Sequence, residues 1–231
     1  MELNRVHQIQ DRIAPRRALV SVADKTGLED LVAGLWHRLP ALEVFSTGGT
    51  YRLLATVAED LKATHLLRRI DDYTGQPEMQ GGLVKTLDYR IYLGLLGEQF
   101  NPAHQKDLER SDAVAFDLTV CNFYPFEATA GKPDTTVEDL RTHIDIGGPT
   151  MVRASAKNFL RVAVLTSPQQ YPDLLEHLDA QNGTVALSWR AARAAEAFRY
   201  TAHYEAAIAG VLGSHIRSVD LSAVYQEDKR G

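Results

Sequence analysis

Residues that can bind and protonate an oxygen atom stand near glycines in several parts of this chain. In GGLVKTLDYR, residues 81–90, Lys85 and Thr86 place an ammonium and a hydroxyl between apolar neighbours, shortly after two glycines. A positioned ammonium can stabilise an oxygen that gains negative charge and can transfer a proton to it. Lys85 is therefore a candidate for direct contact with a reacting group.

A second group of candidates is typical of phosphate binding. The segment STGGT, residues 46–50, lies between a strand-like run and a helical pattern, where backbone N–H groups, hydroxyls and the helix dipole converge on an anion. Ser21 lies at the end of the preceding strand-like run, and Lys25 and Thr26 lie in the loop after it, so two neighbouring loops could share that anion. An ordinary strand-to-helix turn, a solvated lysine and a helix cap at Asp24 or Thr26 explain the same residues.

Two further groups of polar residues lie at element ends. Asn122 and Tyr124 end an apolar run, and Asp145 precedes Gly147-Gly148-Pro149 at a predicted helix start. A buried amide and phenol need partners, and a carboxylate at a helix start can serve a binding site. A structural tyrosine, a turn at Asn-x-x-Pro and a helix cap are the alternatives.

Arg153 and Lys157 are four residues apart on the helix predicted to follow Pro149, so they share a face. Their repulsion is relieved if an anion or a carboxylate such as Asp145 lies nearby. A solvated basic face is the alternative.

The sequence offers no pattern for metal binding or for nucleophilic catalysis. None of the eight histidines falls at HxxxH or HxH spacing, and we interpret them as surface or core residues. Cys121 is the single cysteine and stands in an apolar run, which is typical of a buried thiol. No serine occurs in G-x-S-x-G.

The order of apolar patterns predicts the elements that position these residues. β-rich runs occur at 17–22, 42–46, 63–70, 117–124 and 161–166, and helical spacing follows several of them. This alternation predicts an α/β fold in which a mostly parallel sheet is flanked by helices on both faces, with ligands at the carboxyl ends of the strands.

The remaining segments carry separate predictions. We expect an irregular region at 71–112, a helix start near Asp134 with a capping box formed by Thr135 and Glu138, and a long final helix over 187–212. Pro149 is expected to be the first residue of its helix.

Length and composition fit a cytoplasmic globular protein. The chain has 231 residues, of which 45% are hydrophobic, which is enough for one large α/β domain or two small ones. No apolar run reaches the roughly 18 residues that a bilayer requires, and the first fifteen residues do not resemble a signal peptide. The net charge of −5, without a basic block, argues against nucleic-acid binding.

Taken together, the motifs resemble one family. SVADKTGL (21–28), STGGT (46–50), DYTGQPEMQGGLVKTL (72–87), VCNFYPF (120–126) and IDIGGPTMVRASAKN (144–158) occur in the order and with the spacings of the inosine monophosphate (IMP) cyclohydrolase domain, the N-terminal part of a bifunctional enzyme of purine biosynthesis. The resemblance implies a methylglyoxal-synthase-like α/β fold over residues 17–213, with an N-terminal extension at 1–16 and a C-terminal tail at 214–231. Because the formyltransferase domain that follows in the family is missing from this sequence, we expect a stand-alone domain.

The resemblance also implies roles for individual residues. Lys85, Tyr124, Asp145 and Lys157 match its catalytic positions. The residues that match its phosphate-binding loops, or lie close by, are Ser21, Ala23, Asp24, Lys25, Ser46, Thr47, Gly48, Gly49 and Thr50. Those expected around the base and the rest of the substrate are Val84, Thr86, Cys121, Asn122, Ile146 and Gly147.

The implied reaction closes the pyrimidine ring of 5-formamidoimidazole-4-carboxamide ribotide, with loss of water, to give IMP. Lys85 is expected to stabilise and protonate the formyl oxygen, and Tyr124 to polarise or deprotonate the carboxamide. Lys157, oriented by Asp145, is expected to serve as the neighbouring cation or to shuttle protons. No metal or cofactor is expected. We expect a separate formyltransferase to supply the substrate, and a homodimer, since family members are dimeric.

The sequence departs from the family pattern around Lys85. Leu83 replaces an arginine that contacts the phosphate, Asp88 and Tyr89 replace a His-Pro pair, and Tyr92 replaces a second histidine. Ala23 stands in place of a phosphate-binding serine, and Gln76 in place of a phenylalanine. Arg90 is a candidate to compensate for the lost charge.

Three interpretations therefore stay open: an IMP cyclohydrolase, a paralogue acting on a related purine-like ribotide, and a non-catalytic nucleotide-binding or regulatory module.

Overall fold

The computed structural model describes residues 5–76, 86–218 and 221–225. The strands are β1 (Arg12–Ile13), β2 (Arg17–Val22), β3 (Glu43–Ser46), β4 (Leu67–Arg69), β5 (Leu118–Asn122), β6 (Ala163–Leu165) and β7 (Val185–Ala186). The helices are α1 (Leu28–Arg38), α2 (Gly48–Asp60), α3 (Ile70–Thr74), α4 (Tyr89–Leu96), α5 (Pro102–Arg110), α6 (Phe126–Ala130), α7 (Val137–Thr142), α8 (Gly147–Lys157), α9 (Tyr171–Ala180), α10 (Leu187–Ser218) and α11 (Leu221–Val224).

The main sheet has its topological switch point beside β2. Its strand order is β4-β3-β2-β5-β6 and its strand pairs are parallel, with Val20 opposite Ser46 and Val22 opposite Asn122. The chain runs outward from β2 to β4 and then returns to build β5 and β6 on the other side. In open α/β sheets, ligands bind outside the carboxyl ends of the strands at such a point. The predicted parallel sheet is confirmed.

Helices cover both faces of this sheet, because alternate strand residues point to opposite sides. Val20 and Val22 of β2 pack in the cluster that holds α1, α2 and α9, whereas Leu19 packs in the cluster that holds α4, α8 and α10. Both clusters are built from buried aliphatic and aromatic side chains. Burial on both faces explains why the strands read as continuous apolar runs.

The region predicted to be irregular, 71–112, contains the helices α4 and α5. Asn101 caps α5 by accepting hydrogen bonds from the N–H groups of Ala103 and His104, and Pro102 is the first helical residue. An Asn-Pro pair at a helix start is a recognisable signal, so this helix was predictable. The predicted strand at 63–70 is limited to Leu67–Arg69.

The predicted capping box is wrong by one residue. Thr136 caps α7 together with Asp139, whereas Thr135 donates its hydroxyl to the carbonyl of Thr129 at 2.6 Å. Two Thr-x-x-acid pairs overlap here, Thr135 with Glu138 and Thr136 with Asp139. Because the hydroxyl of Thr135 is bonded to Thr129 in α6, Thr136 is the residue that caps α7. Helix α8 begins at Gly147, so Pro149 is its third residue rather than its first.

A buried arginine ties the N-terminal segment to the domain. Arg190, with no exposed surface, donates hydrogen bonds to the backbone carbonyls of Gln10, Asp11, Phe159, Leu160 and Val185. Burial lowers the pKa of this guanidinium to about 10. Strand β1 pairs antiparallel with β7 beside it. Within the described residues, no helix combines the length and apolar character needed to span a bilayer.

Candidate active site

A cavity of about 410 Å³ opens at the carboxyl ends of β2, β3 and β5. Most of the sequence-predicted site residues that the structure describes line it. They are Ser21, Ala23, Lys25, Thr47, Gly48, Gly49, Thr50, Thr86, Cys121, Asn122, Tyr124, Asp145, Ile146 and Gly147. The cavity has two chemically different ends, one formed by the N-terminus of α2 and the other by the loop before α8.

The α2 end has the features of an anion site. Thr47, the residue before α2, makes no capping hydrogen bond with its side chain, and its hydroxyl lies 3.2 Å from that of Ser21. A methyl group added at Gly49 would lie 4.0 Å from Nζ of Lys25 and 3.7 Å from a guanidinium nitrogen of Arg52. Two cations therefore flank the positive end of a helix, which favours a phosphate.

Arg52 flanks the cavity without lining it, and it was missed in the sequence interpretation although it follows Gly49 by three residues as the fifth residue of α2. Arg90, the predicted substitute for a missing arginine, instead donates to the carbonyl of Tyr73 at 2.9 Å and does not line the cavity. The spacing i to i+3 on a helix was the signal for Arg52.

The side-chain amide of Asn122 holds the loop that carries Lys25. Its Oδ1 accepts hydrogen bonds from the N–H groups of Ala23 and Asp24, both at 2.8 Å, and its Nδ2 donates to the carbonyl of Asp24 at 2.9 Å. Asp24 in turn accepts from the N–H of Thr26, and this bond lowers the pKa of its carboxyl. Asn122 thus positions the phosphate loop.

Two predicted binding residues do not reach the cavity. Ser46 is fully buried and donates its hydroxyl to the carbonyl of Val20 at 2.8 Å, which joins β3 to β2. Asp24 is exposed and does not line the cavity. Both residues shape the loops, and the structure does not bring either to the cavity wall.

Asp145 is fixed at the opposite end of the cavity. Its Oδ1 accepts the N–H of Gly148 at 2.9 Å, and its own N–H donates to the hydroxyl of Tyr204 at 2.8 Å. Burial raises the pKa of this carboxyl, and hydrogen bonds from backbone groups of Gly148, Gly147 and Tyr124 oppose the rise. A carboxyl with a raised pKa in a cleft is a candidate for proton transfer.

Two tyrosines of α10 position this end of the cavity, and the sequence interpretation missed both. Tyr200 accepts the N–H of Phe123 at 3.0 Å, and Tyr204 accepts that of Asp145. They lie four residues apart and therefore on one face of the helix. That spacing was their signal in the sequence.

The remaining predicted residues form the walls and the mouth. Thr86 is buried, and a methyl group added at Gly147 would lie only 2.7 Å from its hydroxyl oxygen. Burial raises the pKa of the Cys121 thiol, whose sulfur lies 3.8 Å from the carbonyl of Gly148. Tyr124 and Ile146 are 62% and 57% exposed at the mouth.

The comparison with known families identifies this architecture. The family described as MGS-like domain matches residues 27–150, more than half of the chain. The chain belongs to the MGS-like domain family. The family described as AICARFT/IMPCHase bienzyme matches residues 155–230. The predicted methylglyoxal-synthase-like fold and the resemblance to the IMP cyclohydrolase domain are confirmed.

Individual relatives of this MGS-like domain agree. The bifunctional purine biosynthesis protein PurH of Synechococcus sp. (strain CC9902) is 45% identical over 191 residues, which are 83% of this chain and 35% of the relative. PurH of Leptospira biflexa serovar Patoc (strain Patoc 1 / Ames) is 40% identical over 201 residues, 87% of this chain and 38% of the relative. The chain thus spans little more than a third of the length of these relatives.

A solved structure is also similar. The crystal structure of ForH matches with a TM-score of 0.70 and 34% identity, covering 85% of this chain and 98% of that one.

The predicted catalytic residues are not all brought together in this MGS-like domain. Lys157 is the last residue of α8 and is exposed, whereas Asp145 lies just before the first. An α-helix rises about 1.5 Å per residue, so the two ends are about 15 Å apart. The expectation that Asp145 orients Lys157 is wrong within a single chain. Lys85 and Val84 lie outside the described residues.

Several wall residues of the MGS-like domain were not anticipated. They are Val22, Leu87, Thr142, His143, Ile144 and Gly148. His143 was interpreted as a surface or core residue, because histidines were tested only for metal spacing. The sequence feature that could have identified His143 is its position two residues before Asp145. Among the described residues, no group of three or more His, Cys, Asp or Glu side chains is arranged to hold a metal ion.

Proposed function

We propose that this MGS-like domain is an IMP cyclohydrolase, a hydrolase-type enzyme acting on carbon–nitrogen bonds of cyclic amidines. Its substrate is 5-formamidoimidazole-4-carboxamide ribotide, and its product is IMP. The observation that carries the proposal is one cavity with a cation-flanked helix N-terminus at one end and a desolvated carboxyl, Asp145, at the other. This is the arrangement that a ribotide needs, with its phosphate at one end and the reacting base at the other.

The phosphate end supplies binding energy away from the reacting bonds. Lys25 and Arg52 provide the charges. The paired hydroxyls of Thr47 and Ser21 and the first amides of α2 provide donors. Charge-assisted hydrogen bonds to phosphate are stronger than neutral ones. Fixing the phosphate holds the carboxamide and the formyl group at the Asp145 end, and proximity supplies much of the rate of a ring closure.

The chemical step needs an acid for the formyl oxygen and a base for the carboxamide nitrogen, because an amide nitrogen is a poor nucleophile. We assign the acid to Lys85 from the resemblance. Tyr124, at the cavity mouth, contacts the carboxamide or the base. Asp145 orients the attacking amide, and Ile146 and Gly147 line the base site.

A related ribotide is the second candidate substrate, and one contact favours it. Gln76 and Asp88, two departures from the family pattern, are bonded to each other, with Nε2 of Gln76 donating to Oδ2 of Asp88 at 3.1 Å. Asp88 also caps α4 by accepting the N–H of Arg90. The bond joins two departures that lie on either side of residues 77–85, the segment in which the resemblance places Lys85.

The remaining parts of the proposal concern the context of the reaction. A formyltransferase supplies the substrate, since the formyl group must be attached before the ring closes. We further propose that the protein is a cytoplasmic homodimer.

The decisive experiment is incubation of the purified protein with the formylated carboxamide ribotide while ultraviolet absorbance reports IMP. Rapid closure that Lys85→Ala abolishes supports the proposal. Tight binding of IMP without turnover would assign the protein to the non-catalytic sensors. Absence of both binding and turnover, in a folded protein, would direct the search to other ribotides.

A further inference from the structure

His143 lies at the reacting end of the cavity. It directly follows α7 and lines the same wall as Asp145 and Tyr124, whereas Lys25 lies at the phosphate end. The imidazole is exposed to the cavity and to solvent rather than packed in the core. A ligand whose phosphate is bound at α2 would therefore present its base to this side chain.

The hydrogen bonding of His143 determines which ring nitrogen carries the proton. Its Nδ1 lies 2.7 Å from the backbone carbonyl oxygen of Asp139. A carbonyl only accepts hydrogen bonds, so Nδ1 must be the donor. A neutral imidazole has one N–H, and the lone pair is therefore on Nε2. Among the described residues, Nε2 has no hydrogen-bond partner.

The carboxylate of Asp139 does not compete for this ring. Its Oδ2 accepts the N–H and the hydroxyl of Thr136 at 3.0 and 2.7 Å, which completes the cap of α7. The carbonyl of Asp139 thus holds the ring in one orientation while Nε2 stays available. An anchored imidazole with a free lone pair is the arrangement found in general-base histidines.

The proposed reaction requires such a base. Imidazole is the side chain that serves most often as a general base in enzymes, so it suits this step better than a phenol. The oxygens of Asp145 are engaged by the first amides of α8. His143 is the described wall residue whose chemistry fits the carboxamide proton.

We propose that His143 is a catalytic residue that carries the carboxamide proton during ring closure; this inference rests on the proposed function. Nε2 takes a proton from the carboxamide nitrogen as that nitrogen forms its bond to the formyl carbon. The electron pair of the formyl C=O bond moves to the oxygen, which takes a proton from the acid assigned to Lys85. The formamide nitrogen then gives its proton back to that acid as the C=N bond forms, the C–O bond breaks, and the imidazolium gives its proton to the departing oxygen. The released water thus gains one proton from each nitrogen.

The test uses a variant that separates anchoring from catalysis. His143→Asn keeps a donor near the position of Nδ1 and removes Nε2. We expect kcat to fall by roughly 10²- to 10⁴-fold, the usual contribution of a general base, with a small change in KM. His203→Asn is the matched control, because His203 is an exposed histidine of α10 that faces Glu127 at 3.4 Å and does not line the cavity.

The outcomes distinguish this inference from the proposed function. If the wild type forms IMP and His143→Asn keeps the wild-type kcat, the catalytic role of His143 is overturned and the proposed function is retained. If the wild type forms no IMP, the proposed function and the role of His143 are both overturned. If His143→Asn does not fold, side-chain nitrogen NMR of the wild-type protein tests the role of His143 instead. We expect IMP to shift the Nε2 signal of His143 and ribose 5-phosphate to leave it unchanged. An Nε2 signal that IMP leaves unchanged would overturn the proposal.

Discussion

At the scale of single residues, the phosphate end depends on two side chains from different elements. Lys25 comes from the loop after β2, Arg52 is the fifth residue of α2, and both approach Gly49. Each has a long flexible stem, so the charges converge only because Asn122 and the helix fix their backbones. The sequence predicted Lys25 from its loop, whereas it gave no separate prediction for Arg52.

Removing either cation should weaken nucleotide binding. We expect Lys25→Ala and Arg52→Ala each to cost about 1.5 to 3 kcal/mol of IMP binding, the usual value of a hydrogen bond to a charged group. Titration calorimetry with IMP measures the loss. Arg110→Ala is the control, since Arg110 is an exposed residue of α5 that pairs with Asp107. Equal affinity of Arg52→Ala and wild type would remove Arg52 from the site.

Asp145 should make the stability of the protein depend on pH. Burial raises its pKa in the folded state, so between its unfolded pKa of 3.8 and the higher folded value the native state binds more protons. Stability from this group therefore falls as pH rises through that window, by about 1.4 kcal/mol per unit of pKa difference.

Asp145→Asn removes the charge and retains an oxygen that can accept from Gly148. The free energy of unfolding of the variant minus that of the wild type, measured in urea, should be larger at pH 7 than at pH 4. The variant should also lose turnover. A stability difference that is the same at both pH values would contradict a desolvated carboxyl at this position.

At the scale of elements, sequence patterns located most of the strands and helices that carry the site. They failed where two signals overlapped, as for the Thr135 and Thr136 caps, and where a start signal was not used, as at Asn101-Pro102. They also could not show that Tyr200 and Tyr204 of α10 accept backbone N–H groups from the site loops, because that contact joins segments almost sixty or more residues apart. Long-range hydrogen bonds of this kind leave only a weak local signature.

The start of α8 requires glycine for lack of space. A methyl group at Gly147 would lie 2.7 Å from Oγ1 of Thr86, which is closer than such atoms approach. Gly147→Ala should therefore displace Thr86 from the cavity wall and lower kcat/KM at least about tenfold, since misplacement of about 1 Å can cost 10²-fold. Gly210→Ala is the control, because nothing lies within 4 Å of the added methyl group and alanine is the better helix former. Unchanged kcat/KM in Gly147→Ala would mean that Thr86 can move without consequence.

At the scale of the whole molecule, Arg190 connects parts of the chain that the sheet alone does not join. All five of its N–H groups are used, and their acceptors belong to the N-terminal segment, to the turn before β6 and to β7. No local sequence pattern predicts the role of Arg190, because an arginine within an alanine-rich helix is expected to lie on the surface. Its role is visible only when segments about 180 positions apart are brought together.

Arg190→Lys should therefore destabilise the fold although it keeps the charge. An ammonium has three donors, so at least two of the five carbonyls lose their partner, and each buried unpaired group costs about 1 to 3 kcal/mol. We expect a total loss of about 3 kcal/mol or more in urea unfolding, together with faster proteolysis of residues 5–13. Arg38→Lys is the matched control, because Arg38 pairs with the exposed carboxylate of Asp179, and a surface ion pair is worth about 0 to 1 kcal/mol. If the two variants were equally stable, Arg190 would be a buried charge that the fold tolerates rather than the residue that holds the N-terminal segment in place.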